Sequence, residues 1–199
     1  MADPFRSARL LYRAVDPKTD EDLFRKIQSN PILWRNVNIN LPRPAAPKDA
    51  TDWIKTYTED LLLGLVICLI PLDAQTKPIP IGLLACRGPR PLMAHHRHAE
   101  IGIMIMREYQ NQGYGTEVLS WAFDWCFESA GMHRVILRSF GFNEGAGRLY
   151  ERLGLKHEGT GREQFFHQGR FWDEFQFGIL DREWKEIKAA KEQVNDKQA

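Results

Sequence analysis

The sequence predicts a mixed α/β fold in a single domain, and three features of the 199-residue chain support that prediction. Hydrophobic residues make up 43% of the chain and include 6 Trp and 11 Phe, which is enough to fill one substantial core. Segments with strand-like alternation and segments with helix-like periodicity follow each other along the chain. There is neither an internal repeat nor a change of composition between the two halves. A single sheet with helices packed against it fits these features.

The first predicted elements are a strand and two helices. Residues 9–15 alternate apolar and polar side chains as a half-buried strand does. Asp16-Pro17 then opens a helix that ends near residues 29–31, where a proline follows. An irregular stretch that contains Trp34 comes next, and such a long aromatic loop is typically packed or functional. Residues 49–59 form the second predicted helix.

The remaining elements follow from the same periodicities. Further strands are predicted at residues 61–70, 79–86, 99–106, 134–140, 159–166 and 170–180. Further helices are predicted at residues 116–130, 143–153 and 181–192, the last of them charged and exposed. The apolar run 61–72 is shorter than the about 20 residues that a membrane-spanning helix needs, so it predicts a buried strand.

Composition excludes several classes of function. The net charge is +1, which argues against general nucleic-acid binding, since that draws its affinity from neutralising phosphates. The 3 cysteines lie in apolar runs without a CxxC pair, so we expect a reducing, cytoplasmic compartment and no metal site. The residues 95–98 contain three histidines, but without a supporting ligand they predict a solvated loop. The N-terminus has no signal-peptide core, and we expect no membrane association.

A glycine-rich turn follows the predicted strand 99–106 and precedes a helix, and residues 110–116 are called the pyrophosphate loop below. Gly113 and Gly115 allow a close backbone approach, and the helix start adds unpaired N–H groups, which together favour an anion. A nucleotide-triphosphate loop needs a Lys after its last Gly, and position 116 is Thr. A dinucleotide-binding loop needs a third Gly, and position 118 is Val. An ordinary strand-to-helix turn is the remaining alternative.

A second pattern, Asn143-x-x-Ala146-x-x-x-Tyr150-x-x-x-Gly154-Leu155, lies about thirty residues further along the chain. Asn143 and Tyr150 are seven residues apart and therefore lie on one face of the predicted helix. Ala146 leaves room for a ligand against that face. Taken alone, Tyr150 is better explained as a core aromatic residue of an amphipathic helix.

The two patterns together resemble the GNAT superfamily of N-acetyltransferases, and longer segments resemble its ribosomal-protein alanine acetyltransferase subgroup. The resemblance covers residues 7–184 as one domain, with residues 185–199 as the end of a charged helix and tail. It implies a mixed, mostly antiparallel sheet of about seven strands, splayed in the middle and flanked by helices. Two departures are mild: Arg107 stands where Pro is frequent, and Leu155 where Phe is frequent.

The resemblance implies acetyl-CoA as the cosubstrate and no metal. The backbone of the splayed strand pairs with the pantetheine arm in that family, and the loop amides hold the pyrophosphate. The residues implied in cofactor binding are Ile103, Met104, Ile105, Gln110, Asn111, Gln112, Gly113, Tyr114, Gly115, Thr116, Asn143, Ala146 and Tyr150.

The implied reaction is direct transfer of the acetyl group to a primary amine in a ternary complex. Tyr150 would protonate the leaving thiolate, and a backbone N–H near Ile105 would hold the thioester oxygen. Glu100 is the preferred base for the amine proton, with a surface ion pair as the equal alternative. Asp173, beside Trp172, either anchors the last hairpin or recognises the charge of the acceptor.

The acceptor is not determined by these patterns. We expect Trp34, Glu100, Trp172 and Asp173 to form its site, and the partner to be a small-molecule amine or a protein N-terminus. We expect a monomer or a homodimer. Two alternatives remain open: a non-catalytic acyl-CoA-binding module with the same fold, and a nucleotide-binding protein.

Overall fold

The computed structural model describes residues 3–41, 43–73 and 75–196, and within these ranges it contains seven strands and six α-helices. The strands are β1 (Leu10–Ala14), β2 (Leu63–Leu69), β3 (Ile79–Arg87), β4 (His98–Ile105), β5 (Arg134–Phe140), β6 (Lys156–His167) and β7 (Arg170–Leu180). The helices are α1 (Glu21–Ser29), α2 (Pro31–Arg35), α3 (Pro47–Lys55), α4 (Tyr114–Asp124), α5 (Glu144–Arg152) and α6 (Asp181–Asp196).

The strands form one mixed sheet in the order β1-β2-β3-β4-β5-β7-β6. The pairs β1–β2, β2–β3, β5–β7 and β6–β7 are antiparallel. Strand β4 pairs in parallel with β5, from His98 opposite Arg134 to Glu100 opposite Ile136. The predicted α/β class and the mostly antiparallel sheet of seven strands are therefore confirmed.

The chain divides into two compact units, of which the first comprises Met1–Arg87 and Ile101–Trp121. In this unit, α1 and α3 cover one face of β2 and β3. Phe24 and Ile27 of α1 are fully buried in the same cluster as Val66 and Leu83. The apolar residues of α1 recur at helical spacing and therefore lie on one face of the helix, which packs against the inward side of the strands. Burial of these apolar side chains holds the helix against the sheet. The prediction of one domain over residues 7–184 stays a prediction.

The second unit comprises Gly88–Glu100 and Ala122–Ala199. Helix α6 is attached to it through Trp184, which is only 3% exposed and meets Phe123 edge to face at 5.2 Å. The indole Nε1 of Trp184 donates a hydrogen bond to Asp124 at 2.8 Å. The expectation that this helix is exposed is therefore wrong for its first turn, because the buried indole fixes it to the end of α4. Of the expected tail, residues 197–199 lie outside the described residues.

Two local predictions in the first unit are corrected. Helix α1 begins at Glu21 rather than after Pro17, because the Asp20 carboxylate accepts hydrogen bonds from Arg13 at 2.6 and 2.7 Å and from the Asp16 N–H at 2.8 Å. These bonds fix residues 16–20 in a turn. The stretch around Trp34, expected to be irregular, begins with the short helix α2.

The start of α2 explains why it was missed. Pro31 is its first residue, where the missing N–H is harmless. The Asn30 side chain caps it by accepting hydrogen bonds from the N–H groups of Ile32 and Leu33, both at 3.1 Å. The proline that stops α1 in the sequence pattern thus also starts α2.

The predicted helix 116–130 begins two residues early, at Tyr114, and ends as a π-helical turn over Trp125–Ser129.

Candidate active site

The pyrophosphate loop is fixed to the end of β4. Directly after that strand, the Met106 N–H donates to the Ile81 carbonyl at 2.8 Å. A short 3-10 turn over Arg107–Tyr109 follows, and the Gln110 side-chain amide then donates back to the Ile105 carbonyl at 2.8 Å. The Gln110 side chain therefore holds the loop against its own strand.

The loop backbone takes the conformations that its residue types allow. Gly113 has a φ of +82°, which glycine adopts without the steric cost of a Cβ, and Asn111 has a φ of +59°. The Gln112 side-chain amide donates to the Glu108 carbonyl at 2.8 Å and closes the turn. Helix α4 begins at Tyr114, so Tyr114, Gly115 and Thr116 form its first turn, where N–H groups have no intrahelical acceptor. This backbone is suited to an anion.

Three residues of β4 that were expected to pair with the pantetheine arm lie just before the loop. The side chains of Met104 and Ile105 are buried at 6% and 8% exposure, and that of Ile103 is half-buried. They follow the three residues of β4, His98–Glu100, that pair with β5. Their side chains belong to the core, as the sequence indicated.

The second motif forms the start and the inner face of α5. Asn143 is the N-cap residue, with its N–H donating to the Phe140 carbonyl at 2.7 Å, and Ala146 on the first turn is half-buried. Tyr150 is 6% exposed and meets the ring of Phe177 edge to face at 5.5 Å. Burial raises the pKa of the Tyr150 phenol to about 12, because it disfavours the charged phenolate. Tyr150 is thus a protonated donor at neutral pH.

Glu100 is engaged in an ion pair. Its carboxylate lies 3.5 Å from the Nε of Arg138, and the same guanidinium lies 3.2 Å from Glu174. Arg138, on β5, therefore links carboxylates of β4 and β7. The ion pair that the sequence left as an alternative is formed. Sequence reasoning missed Arg138, although its exposed position in the alternating pattern of β5 marks it as a surface partner.

Asp173 and Trp172 both tie the last hairpin together. The Asp173 carboxylate accepts a hydrogen bond from the Glu163 N–H at 2.8 Å, where Glu163 has a φ of +52° in a bulge of β6. The Trp172 indole donates to the His167 carbonyl at 3.1 Å, and the Arg170 guanidinium lies 3.5 Å above its ring. Asp173 also lines an open cavity of about 720 Å³. These contacts show the anchoring that was one of its two expected roles.

Trp34 packs within the first unit. Its ring meets that of Trp53 edge to face at 4.9 Å, and Trp53 in turn meets Phe24 at 4.8 Å. Trp34 is half-buried against the core of α1 and α3. The Trp34 side chain is therefore partly exposed.

A cleft of about 340 Å³ in the second unit went unnoticed in the sequence. Residues of α5 and of the strands β5 to β7 line it, and they include the rings of His157, Phe175 and Phe177, with Asn143 directly before α5. Ser139 also lines it; among the described residues its buried hydroxyl has no hydrogen-bond partner. A single serine in a strand pattern gives no signal of such a place.

Within the described ranges, no α-helix is long and apolar enough to cross a membrane. No group of three or more His, Cys, Asp or Glu side chains in those ranges is arranged to hold a metal ion.

Known proteins share sequence with this chain. The spermidine N(1)-acetyltransferase of Vibrio cholerae is 34% identical over 89 residues, which are 45% of this chain and 51% of that protein. The putative ribosomal N-acetyltransferase YdaF of Bacillus subtilis is 30% identical over 45% of this chain and 49% of that protein. The chain thus spans about half the length of the curated relatives it matches.

Solved structures share the fold. A GNAT-family acetyltransferase from Bacillus anthracis superposes with a TM-score of 0.73 at 21% identity, over 90% of this chain and 99% of that one. The spermidine N-acetyltransferase from Vibrio cholerae, in complex with CoA and spermine, gives a TM-score of 0.73 at 24% identity, over 89% and 99%. The model of the acetyltransferase (GNAT) domain matches residues 9–156. The chain belongs to the GNAT acetyltransferase family.

Proposed function

We propose that the protein is an acetyl-CoA-dependent N-acetyltransferase that moves the acetyl group to a primary amine. The observation that carries the proposal is the pyrophosphate loop, whose backbone turns at a positive-φ Gly113 directly into the first turn of α4. Family membership supports coenzyme A as the anion that this loop binds. Three of the similar curated proteins are named spermidine N(1)-acetyltransferase, which supports an amine acceptor.

The cofactor roles follow the family pattern residue by residue. We assign the pantetheine arm to the backbone of Ile103–Ile105 and the pyrophosphate to the N–H groups of residues 112–116, with Gln110 and Asn111 shaping the turn. Asn143 and Ala146 at the start of α5 are assigned to the cofactor as well. No metal is part of the proposal.

In the proposed reaction one side chain donates a proton and another accepts one. The neutral amine attacks the thioester carbonyl, the C–N bond forms, and the C–S bond breaks. Tyr150 gives its proton to the departing thiolate, for which its raised pKa keeps it protonated. The amine proton passes to Glu100 through water, and Arg138 holds that carboxylate in place. A backbone N–H near Ile105 stabilises the charge on the thioester oxygen.

The acceptor site is assigned to Trp34, Glu100, Trp172 and Asp173. The carboxylate of Asp173, which lines an open cavity, suits the cationic part of an amine. The partly exposed ring of Trp34 suits an alkyl part. The amine is either a small molecule or a protein N-terminus, and the protein acts as a monomer or a homodimer. Its three cysteines are buried, and we assign the protein to the cytoplasm.

The test is release of free thiol when the protein, acetyl-CoA and a panel of amines are mixed, with the acetylated product identified by mass spectrometry. The panel holds spermidine, an aminosugar and peptides with different N-termini. Melting temperatures with CoA, ATP and NAD run in parallel. Stabilisation by ATP alone would contradict the proposal. Tight CoA binding without turnover on any amine would favour a non-catalytic acyl-CoA-binding module.

A further inference from the structure

Arg9, directly before β1, makes a set of contacts with the pyrophosphate loop that no part of the proposed reaction uses. All of these contacts lie within the first unit. The guanidinium Nη1 donates to the Gln112 carbonyl at 3.0 Å, and its carbon lies 4.4 Å from the centre of the Tyr114 ring. Its Nη2 lies 3.4 Å from the place where a Cβ on Gly113 would be. The guanidinium of Arg9 therefore lies beside three consecutive residues of the loop, 112–114.

The bond to Gln112 orients a neighbouring donor. In a trans peptide the C=O and the following N–H point in opposite directions. Because Arg9 holds the Gln112 carbonyl on its own side, the Gly113 N–H faces away from Arg9. Gly113 has no Cβ and a positive φ, so its backbone is freer than that of a residue with a side chain and an external contact helps to fix this peptide.

Glu117, in the first turn of α4, holds Arg9 in position. It accepts hydrogen bonds from the Arg9 N–H at 2.7 Å, from the Arg9 Nε at 2.8 Å and from the Ser7 hydroxyl at 2.7 Å. Burial alone would raise the pKa of Glu117, but these hydrogen bonds outweigh it and lower the pKa below its usual range. The carboxylate would repel a phosphate near the start of α4, and Arg9 neutralises it.

We propose that Arg9 is a positioning residue for the pyrophosphate of acetyl-CoA, acting by holding the Gln112–Gly113 peptide with its N–H toward the ligand. This inference rests on the proposed function. The planar fork of arginine is needed, because one side chain must bond Glu117 and the Gln112 carbonyl at the same time.

The experiment compares two acetyl donors, acetyl-CoA and S-acetylpantetheine, which has the same thioester but lacks the pyrophosphate. We expect Arg9→Met to reduce the preference for acetyl-CoA, measured as the ratio of the two kcat/KM values, about tenfold. The lower kcat/KM for acetyl-CoA comes from a higher KM for acetyl-CoA, while kcat at saturation and KM for the amine stay unchanged. The S-acetylpantetheine rate shows that the variant is folded, since an unfolded variant loses both activities.

Arg25→Met is the matched control. Arg25 is also a surface arginine paired with a glutamate, and it is 47% exposed against 46% for Arg9. The control keeps the wild-type preference. Arg9→Lys retains the charge but loses the fork, so we expect it to recover less than half of the loss. Equal preferences in Arg9→Met and Arg25→Met, or full recovery in Arg9→Lys, would overturn the inference. A wild-type protein that neither binds CoA nor transfers acetyl would instead overturn the proposed function.

Discussion

Replacing Tyr150 by phenylalanine removes one hydroxyl group, and we expect the ring to keep its position. The ring is 6% exposed and packs edge to face on Phe177, and phenylalanine keeps both the packing and the volume. We therefore expect the free energy of unfolding to change by less than about 1 kcal/mol. A loss of activity in this variant reports on the hydroxyl alone.

The pKa of the buried phenol determines when Tyr150 can act as an acid. Its value of about 12 exceeds that of an ordinary thiol, about 8.5, by roughly 3.5 units, so proton transfer to a thiolate in water would be uphill by about 5 kcal/mol. A buried thiolate is also disfavoured, which narrows that difference in the closed site. Such a donor is effective only while the C–S bond is breaking, and we expect Tyr150→Phe to lower kcat by about 100-fold or more.

The assay is thiol release at saturating acetyl-CoA and amine, from pH 7 to pH 10. Because burial raises the pKa of Tyr150 to about 12, the phenol stays protonated over this range, and the ratio of wild-type to variant kcat stays constant. Tyr57→Phe is the control, since it makes the same change at a buried tyrosine of the first unit and leaves kcat unchanged. A wild-type rate in Tyr150→Phe would refute its role as the acid. A ratio that declines toward one by pH 10 would refute the raised pKa.

Three further predictions concern stability and are checked by urea unfolding. Glu117→Gln lowers the free energy of unfolding at pH 7 by about 1–2 kcal/mol. Because the pKa of Glu117 is lowered in the folded state, the difference in stability between wild type and variant shrinks as the pH falls through that pKa. A difference that does not depend on pH would contradict this. Gly64→Ala costs at least about 2 kcal/mol, since its Cβ would collide with the Tyr57 carbonyl oxygen; a neutral effect would show that the backbone yields. Asp20→Ala costs about 3 kcal/mol by leaving Arg13 unpaired, whereas the double variant with Arg13→Met recovers part of the loss.

How well the sequence predicted each element depends on how local its cause is. Strand β5 has the predicted bounds, because alternation of buried and less buried side chains is a property of adjacent residues. Strand β7 also has the predicted bounds, although its burial does not alternate. The start of α1 was wrong, because the Asp20 carboxylate is occupied by Arg13 of the preceding strand. Helix α2 was missed, because a proline can both end one helix and begin the next.

The roles of the acidic residues were left open for a similar reason. Glu100 meets Arg138 because β4 pairs in parallel with β5 at that point, and nothing in the segment around Glu100 encodes which strand lies beside it. Asp173 bonds the Glu163 N–H because a bulge in β6 turns that donor toward it. In both cases the sequence supplied the carboxylate, and the pairing of strands supplied its partner.

The sequence by itself determined the order of the elements apart from α2, the family and the two motifs, since glycines before a helix and residues spaced along one helix face act through nearby backbone. Only the tertiary structure decided how those motifs are held. Arg9 meets Gln112 and Glu117 across more than one hundred residues of chain, in a contact created by the fold of the first unit. The phenol of Tyr150 likewise acquires its raised pKa from burial against Phe177, which only packing produces. Local patterns specify which groups are present, and burial and long-range pairing set their orientation and charge.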